Sequence, residues 1–487
     1  MIFASTAHNP ERSQLLSAKS SSRLVCNRNN GGSTQGHWSE AHMFSTSSSR
    51  GTSAYLESLT RAGQRIKAAA RWVPFALVAA LVAASSNATF GDAPAARRFS
   101  QPGLQRIGDY LRHEIAIGKI PGAILLIQQH GKPVYFEKFG LRDVATKVPM
   151  TDDTIFRFYS MSKPITSVAA LMLVDDGKLS LDDPLSKYIP AFADVKVGVE
   201  TPDATGKPVF TLEPLKRPIT VLDLMRQTSG ITYGFYGDGP VQKLYRQADL
   251  YGGDFDNAEF ATRLANLPLA EQPGTTWTYS HSVDVLGRVI EVVSGQSLFQ
   301  FEKERLLDPL GMSHTAFFVA DEAKRPLVAQ FLPDDLIDPP IAGIRDPMVH
   351  RRWESGGAGM VGTTGDYARF VQMLLNAGTL DGRRYLKPET VALMTSDQIG
   401  PGSGIASANV YFLAVHAGFG LGVAVLTSPQ PKRPWPPGIY GWDGVAGAFF
   451  FVDPNDDLFA LCMMQSPSHR GRIETELAPL VFDAMVR

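Results

Sequence analysis

Cysteine is nearly absent from this chain of 487 residues: only Cys26 and Cys462 occur. Cys26 falls in a Ser/Gly-rich leader and Cys462 follows the apolar run Leu458-Phe459-Ala460-Leu461, so no disulfide is expected. The ten histidines are scattered and show no metal-ligand spacing with cysteine, so neither a metal nor a cofactor is expected. Excess charge is missing as well. A formal net charge of −1 argues against nucleic acid as a partner. Long apolar runs are also lacking. The run from Val73 to Ala84 falls short of the roughly 20 residues of a membrane span, so no stable span is expected.

That run closes a basic leader. Residues 1–70 are rich in Ser and Gly and carry many more Arg and Lys than Glu, a composition that cannot bury a core. Arg71 precedes the apolar segment 73–84, and the small residues Ser85-Ser86-Asn87-Ala88 and Ala93-Pro94-Ala95 follow it. This order of basic, apolar and small residues reads as a secretory signal, giving a disordered leader over 1–95 and an exported, periplasmic or secreted product. A transit peptide for an organelle is the alternative.

Beyond the leader, hydrophobic residues make up 44% and charged residues 20% of the sequence, ordinary values for a globular protein. Gln101 to Ile117 reads as an amphipathic helix, then residues 122–129 and 133–139 as a hairpin around His130-Gly131-Lys132. At the far end, residues 445–452 and 458–464 form a second apolar pair. Hairpins at both ends predict one antiparallel sheet assembled from the two ends of the chain. Between them the periodicity is mostly helical: 164–176, 220–227, 257–266, 282–293, 298–307 and 366–377. The predicted organisation is therefore α/β (α+β). Residues 100–163 and 340–487 build the sheet domain, and a mainly helical domain spans 164–339.

Ser160-Met161-Ser162-Lys163 is the stretch around which the rest is read. It follows the apolar run from Ile155 to Tyr159 and opens a helix in which Pro164 falls in the tolerant first turn. A serine with a lysine three residues on places both side chains on one helix face. A serine hydroxyl needs a base within hydrogen-bond reach, and a desolvated, unprotonated lysine is such a base. Taken alone, Ser-x-x-Lys is a weak pattern that also fits an exposed helix lysine. A second motif, Pro273-Gly274-Thr275-Thr276-Trp277-Thr278-Tyr279-Ser280-His281, is a tight turn that delivers a tyrosine just ahead of a helix. A third, Tyr440-Gly441-Trp442-Asp443-Gly444-Val445, enters the last hairpin, where backbone N–H groups can face an oxyanion. Singly, Tyr279 and Trp442 read equally well as core residues.

Together and in this order, the three motifs resemble the serine β-lactamase and penicillin-recognising hydrolase superfamily. The likeness is closest to the branch holding class C β-lactamases and family VIII carboxylesterases, and it spans about residues 101–485. Leu224 to Gly230, Pro309-Leu310-Gly311-Met312 and Ser355-Gly356-Gly357 belong to it too. The resemblance implies a β-lactamase/transpeptidase-like fold, with an active site between the sheet and an all-helical domain. It also implies Ser160 as nucleophile, Lys163 as its activating partner and Tyr279 as the second proton-transfer group. The oxyanion hole would be the N–H groups of Ser160 and Val445.

Two departures bear on the substrate. Where β-lactamases carry a Lys-Thr-Gly type triplet, this chain has Trp442-Asp443-Gly444, which replaces a cation by an indole and adds an anion. An anion facing the pocket disfavours anionic β-lactams and favours a neutral, small-molecule ester. His281 stands where β-lactamases have Asn, and is either a substrate-binding residue with Trp442, Asp443 and Gly444 or a cap of the following helix. The Gly-x-Ser-x-Gly pattern of α/β-hydrolases is absent. The reading is a serine hydrolase of carboxylesterase type. The alternatives are a D-amino-acid peptidase or weak β-lactamase, and a non-catalytic penicillin-recognising binding module.

Overall fold

The computed structural model describes residues 97–336, 346–405, 417–429 and 435–486, and the leader with its apolar segment 73–84 and Cys26 lies outside them. From Asp92 onwards the chain groups as one unit. Its frame is an eight-stranded antiparallel sheet. The strand order runs Ala417–Phe419, Ala424–Leu426, Tyr440–Asp443, Phe449–Asp453, Leu458–Met464, Gly122–Gln129, Lys132–Asp143 and Val148–Pro149. Leu458–Met464 pairs with Gly122–Gln129, so the two ends of the chain meet in mid-sheet.

Both faces of these central strands are covered, which explains why they read as continuous apolar runs. Ala123, Leu125, Ile127, Cys462 and Met464 pack on one side with Leu104, Ile107 and Leu111 of helix Gln101–Ala116 and with Ile473, Leu477 and Val481 of helix Arg470–Asp483. Ile124, Leu126, Leu461 and Met463 point the other way, into the main core. Helices Ser162–Asp175, Ser282–Ser294 and Thr364–Leu375 contribute to that core. Helix Ser162–Asp175 is buried over almost its whole length, so it lacks the polar face of a surface helix.

Two features differ from the sequence reading. Residues Lys196–Pro202 and Pro208–Pro214 form a hairpin inside the mainly helical stretch. Its side chains are mostly exposed and prolines flank its turn, so the apolar alternation that announces a strand is weak there. The third motif is itself a strand, Tyr440–Asp443, rather than the entry to one. The N–H of Gly444 donates to the Ala448 carbonyl at 2.7 Å, making residues 444–448 the turn before Phe449–Asp453.

Candidate active site

Ser160 sits in a short 3-10 turn, Tyr159–Met161, that runs directly into helix Ser162–Asp175. The preceding strand Ile155–Arg157 is fixed by pairing with Val361–Thr363, and the Phe158 N–H donates to the Met360 carbonyl. Tyr159 is held at φ +47°, a left-handed conformation that costs a non-glycine residue free energy. Burial of its ring beside Ala446, with Phe331, Ala358 and Val445 packed around them, offsets that cost. The turn is locked from below as well: the Tyr367 hydroxyl donates to the Met161 carbonyl at 3.0 Å, and the Met360 N–H donates to the Ser162 hydroxyl at 3.1 Å.

Lys163 is completely buried. Its Nζ lies 2.8 Å from the Gly357 carbonyl, 3.3 Å from the Ser160 Oγ and 3.3 Å from the Tyr233 hydroxyl. Burial lowers its pKa from 10.5 to about 8, against the opposing charges of Asp284 and Asp443. A neutral amine has two N–H donors and one lone pair. With Gly357 and Tyr233 as acceptors, the lone pair is left for the proton of Ser160. A third acceptor in place of Ser160 would have forced the ammonium form.

Tyr279 is held because the Leu224 to Gly230 segment docks on its turn. The Thr278 N–H donates to the Gln227 carbonyl, the Ser280 hydroxyl to the Gln227 side chain, and the Gly274 N–H to the Thr228 carbonyl. The Ser160 side chain and the Trp442 indole act on the Tyr279 oxygen, both favouring its ionised form. Burial drives its pKa up, and those two groups only partly counter it, so the side chain is a neutral phenol. Trp442 packs on Tyr279 with ring centroids 5.5 Å apart and on Phe419 at 5.3 Å.

Gly444 passes so close to the turn before Ser160 that a Cβ there would lie 2.2 Å from the Phe158 carbonyl oxygen. That approach needs glycine. Half-buried Val445 follows at the start of the turn, and its N–H donates to no protein acceptor among the described residues. Asp443 lies beside Arg470, with Oδ2 3.9 Å from the guanidinium. Burial raises the pKa of its carboxyl, while Arg470 and Lys163 pull it back down.

His281 is brought close to the site and packs edge-on against Tyr233, ring centroids 4.3 Å apart. It is buried behind Tyr233, with Nδ1 3.0 Å from Asp284 and Nε2 3.3 Å from the Tyr251 hydroxyl. Burial lowers its pKa despite Asp284, so the ring is neutral and both nitrogens are spent on protein partners. It stands immediately ahead of helix Ser282–Ser294.

Two contributors were not legible in the motifs. Asp284 accepts from Ser355 Oγ at 2.5 Å and from the Gly357 N–H at 3.1 Å, besides His281. Burial alone would raise its pKa, but the hydrogen bond from His281, the charge of Lys163 and the hydrogen bond from Ser355 outweigh it and keep it ionised. Tyr233, which lies in none of the three motifs, touches Lys163 directly. Phe235 stacks on Tyr233 and Tyr236 meets it edge-on; both stay half-buried, forming an aromatic wall beside Tyr279.

A model of the Beta-lactamase family matches residues 107–481. The chain belongs to that family. It is 36% identical to Protein Rv1367c of Mycobacterium tuberculosis over 366 residues, which is 73% of this chain and 88% of the relative. Esterase EstB of Burkholderia gladioli is 33% identical over 363 residues, 69% of this chain and 83% of that one. Among solved structures, EstCE1, "a hydrolase with promiscuous acyltransferase activity", superposes with a TM-score of 0.64 at 27% identity, covering 79% of this chain and 98% of its own. The eight-stranded sheet with its flanking helices is thus the β-lactamase/transpeptidase-like fold, in a family of hydrolases with esterase members. No helix among the described residues is long and apolar enough to cross a membrane.

Proposed function

We propose that the protein hydrolyses neutral carboxylic esters through an acyl-enzyme on Ser160. One observation carries the reading: a fully buried lysine, its pKa lowered to about 8, within 3.3 Å of a serine hydroxyl. In the proposed sequence Ser160 Oγ attacks the ester carbonyl while its proton passes to Lys163. The oxyanion is held by the N–H groups of Ser160 and Val445. Tyr279, a neutral phenol, protonates the departing alkoxide, and its phenolate then takes a proton from the hydrolytic water. The hydroxide so formed attacks the acyl-serine, and Lys163 returns its proton to Ser160 Oγ as the acid leaves. Trp442 supports this by donating to the Tyr279 oxygen as that oxygen gains charge. In this reading Asp443 and Gly444 shape the substrate side, and His281 buttresses the site from behind.

A second reading, acyl transfer to an alcohol in place of water, is favoured by the likeness to EstCE1 and by the aromatic wall beside Tyr279. The deciding test is labelling with a fluorophosphonate read by intact mass, together with turnover of neutral esters and a chromogenic cephalosporin. Ser160→Ala should abolish both labelling and ester hydrolysis, a loss of several orders of magnitude for a member of a catalytic unit. Undiminished labelling of that variant would place the nucleophile elsewhere.

A further inference from the structure

The carbonyl of Gly357 is the closest partner of Lys163. It belongs to the loop Ser355 to Gly359, which two buried groups hold from opposite sides. Asp284 takes the Ser355 hydroxyl and the Gly357 N–H. On the other side stands Thr166, one turn beyond Lys163 on the same helix. Its Oγ1 lies 3.1 Å from the Gly356 carbonyl and 3.0 Å from Oε1 of Glu302.

A threonine hydroxyl has one proton and cannot donate to both oxygens. The Gly356 carbonyl can only accept. Glu302 is fully buried, forms no ion pair among the described residues, and its Oε2 has no hydrogen-bond partner there. The charge of Glu354 also opposes ionisation of Glu302. A buried carboxylate without a cation is costly, whereas the protonated acid can donate. The proton count therefore closes one way: Glu302 donates to Thr166, and Thr166 donates to Gly356. The backbone just after Glu302 departs from α-helix into a π-helical stretch, Lys303–Leu307, a form that recurs at functional sites.

We propose that Glu302 is a positioning residue that donates a hydrogen bond to Thr166 and so fixes, through the Gly356–Gly357 peptide, the carbonyl to which Lys163 donates. The loop has little slack to find this place by itself, because a Cβ on Gly357 would sit 2.8 Å from the Asp284 carboxylate. Without Glu302 the threonine proton has no fixed direction, the Gly356–Gly357 peptide can rotate, and the Lys163 lone pair loses its aim at Ser160. This inference rests on the reading of Lys163 as the proton acceptor.

The experiment compares Glu302→Leu, Glu302→Gln and Thr166→Val in steady-state ester hydrolysis, with the fold checked by circular dichroism. Glu302→Leu should lower kcat by about 10- to 100-fold with KM little changed, as expected for a misplaced catalytic group. Glu302→Gln keeps a donor to Thr166 and carries no charge, so kcat should return towards that of the parent, with the same pH profile. Thr166→Val, nearly isosteric, should reproduce the Leu phenotype and serves where Glu302→Leu does not fold. A Gln variant as impaired as the Leu variant would mean that an ionised carboxylate is required, and would overturn the proposal. So would parental kcat in Thr166→Val. Either result beside an inactive Ser160→Ala refutes the role of Glu302 alone, whereas an active Ser160→Ala refutes the catalytic reading beneath it.

Discussion

The Nζ of Lys163 lies over the face of the Tyr279 ring, 4.5 Å from its centroid. Lys163 thus meets Ser160 along a hydrogen-bond direction and Tyr279 through its π-face, so the two candidate proton carriers are not bonded nitrogen to oxygen. Face-on contact stabilises the ammonium once Lys163 has taken a proton, yet leaves the phenol free to point towards Ser160 and Trp442. The arrangement suits a division of labour. Lys163, near its neutral form, accepts; Tyr279, its pKa raised by burial, donates.

A pH profile follows directly. Only neutral Lys163 can take the proton of Ser160, and its pKa is lowered to about 8. The value of kcat/KM for a neutral ester should therefore rise about tenfold per pH unit below that value and level off above it. Measurement between about pH 6 and 9 checks this, after subtraction of spontaneous hydrolysis. A profile flat down to pH 6 would exclude Lys163 as the titrating base.

The local motifs were readable because each is a short run whose spacing alone places its side chains. Ser160 and Lys163 are three apart on one helix, and Tyr279 closes a Pro-Gly turn. The sheet could be read from its central strands, where burial on both faces leaves unbroken apolar runs such as Leu458–Met464. The short strands Ala417–Phe419 and Ala424–Leu426 at one end of the sheet, three residues each, left no such trace. What holds the lysine was hidden for another reason. Gly357 is 194 positions from Lys163, and Glu302 is 136 from Thr166. A backbone carbonyl has no sequence signature, and a Glu in an amphipathic helix reads as a solvated residue until the fold buries it. The dual reading of His281 was open for the same reason. Its partners Tyr251 and Asp284 decide which way the ring faces.

In the proposed reaction Trp442 is a neutral donor to the Tyr279 oxygen. Trp442→Phe retains the packing against Tyr279 and Phe419 but removes the indole N–H. A hydrogen bond to a group that becomes charged contributes about 1.5–3 kcal/mol, so kcat should fall by about 10- to 150-fold. KM should hold, because the bond strengthens only as Tyr279 gives up its proton. Steady-state kinetics on one neutral ester decide the matter. A risen KM with parental kcat would make Trp442 a substrate-binding residue instead.

Asp443 is the second departure, and its environment links substrate choice to lysine titration. The carboxyl is largely buried, sits 3.9 Å from Arg470 and acts on Lys163 through its charge, raising that pKa against desolvation. Asp443→Asn removes a negative charge without changing shape. The pKa of Lys163 should then drop below its value of about 8, and the rising limb of kcat/KM should move to lower pH by the same amount. The sign is fixed: losing a nearby anion destabilises the ammonium, so the neutral base prevails at lower pH. A second readout comes from the ratio of kcat/KM for a cephalosporin to that for a neutral ester. It should rise in the variant, because one source of repulsion against a substrate carboxylate is gone. Both measurements use one protein and one substrate pair, across the pH range of the parent profile. If the limb does not move, Asp443 is protonated in the parent at working pH and exerts no charge there. If the limb moves but the ratio stays flat, the carboxylate tunes the base while the shape of the pocket selects the ester.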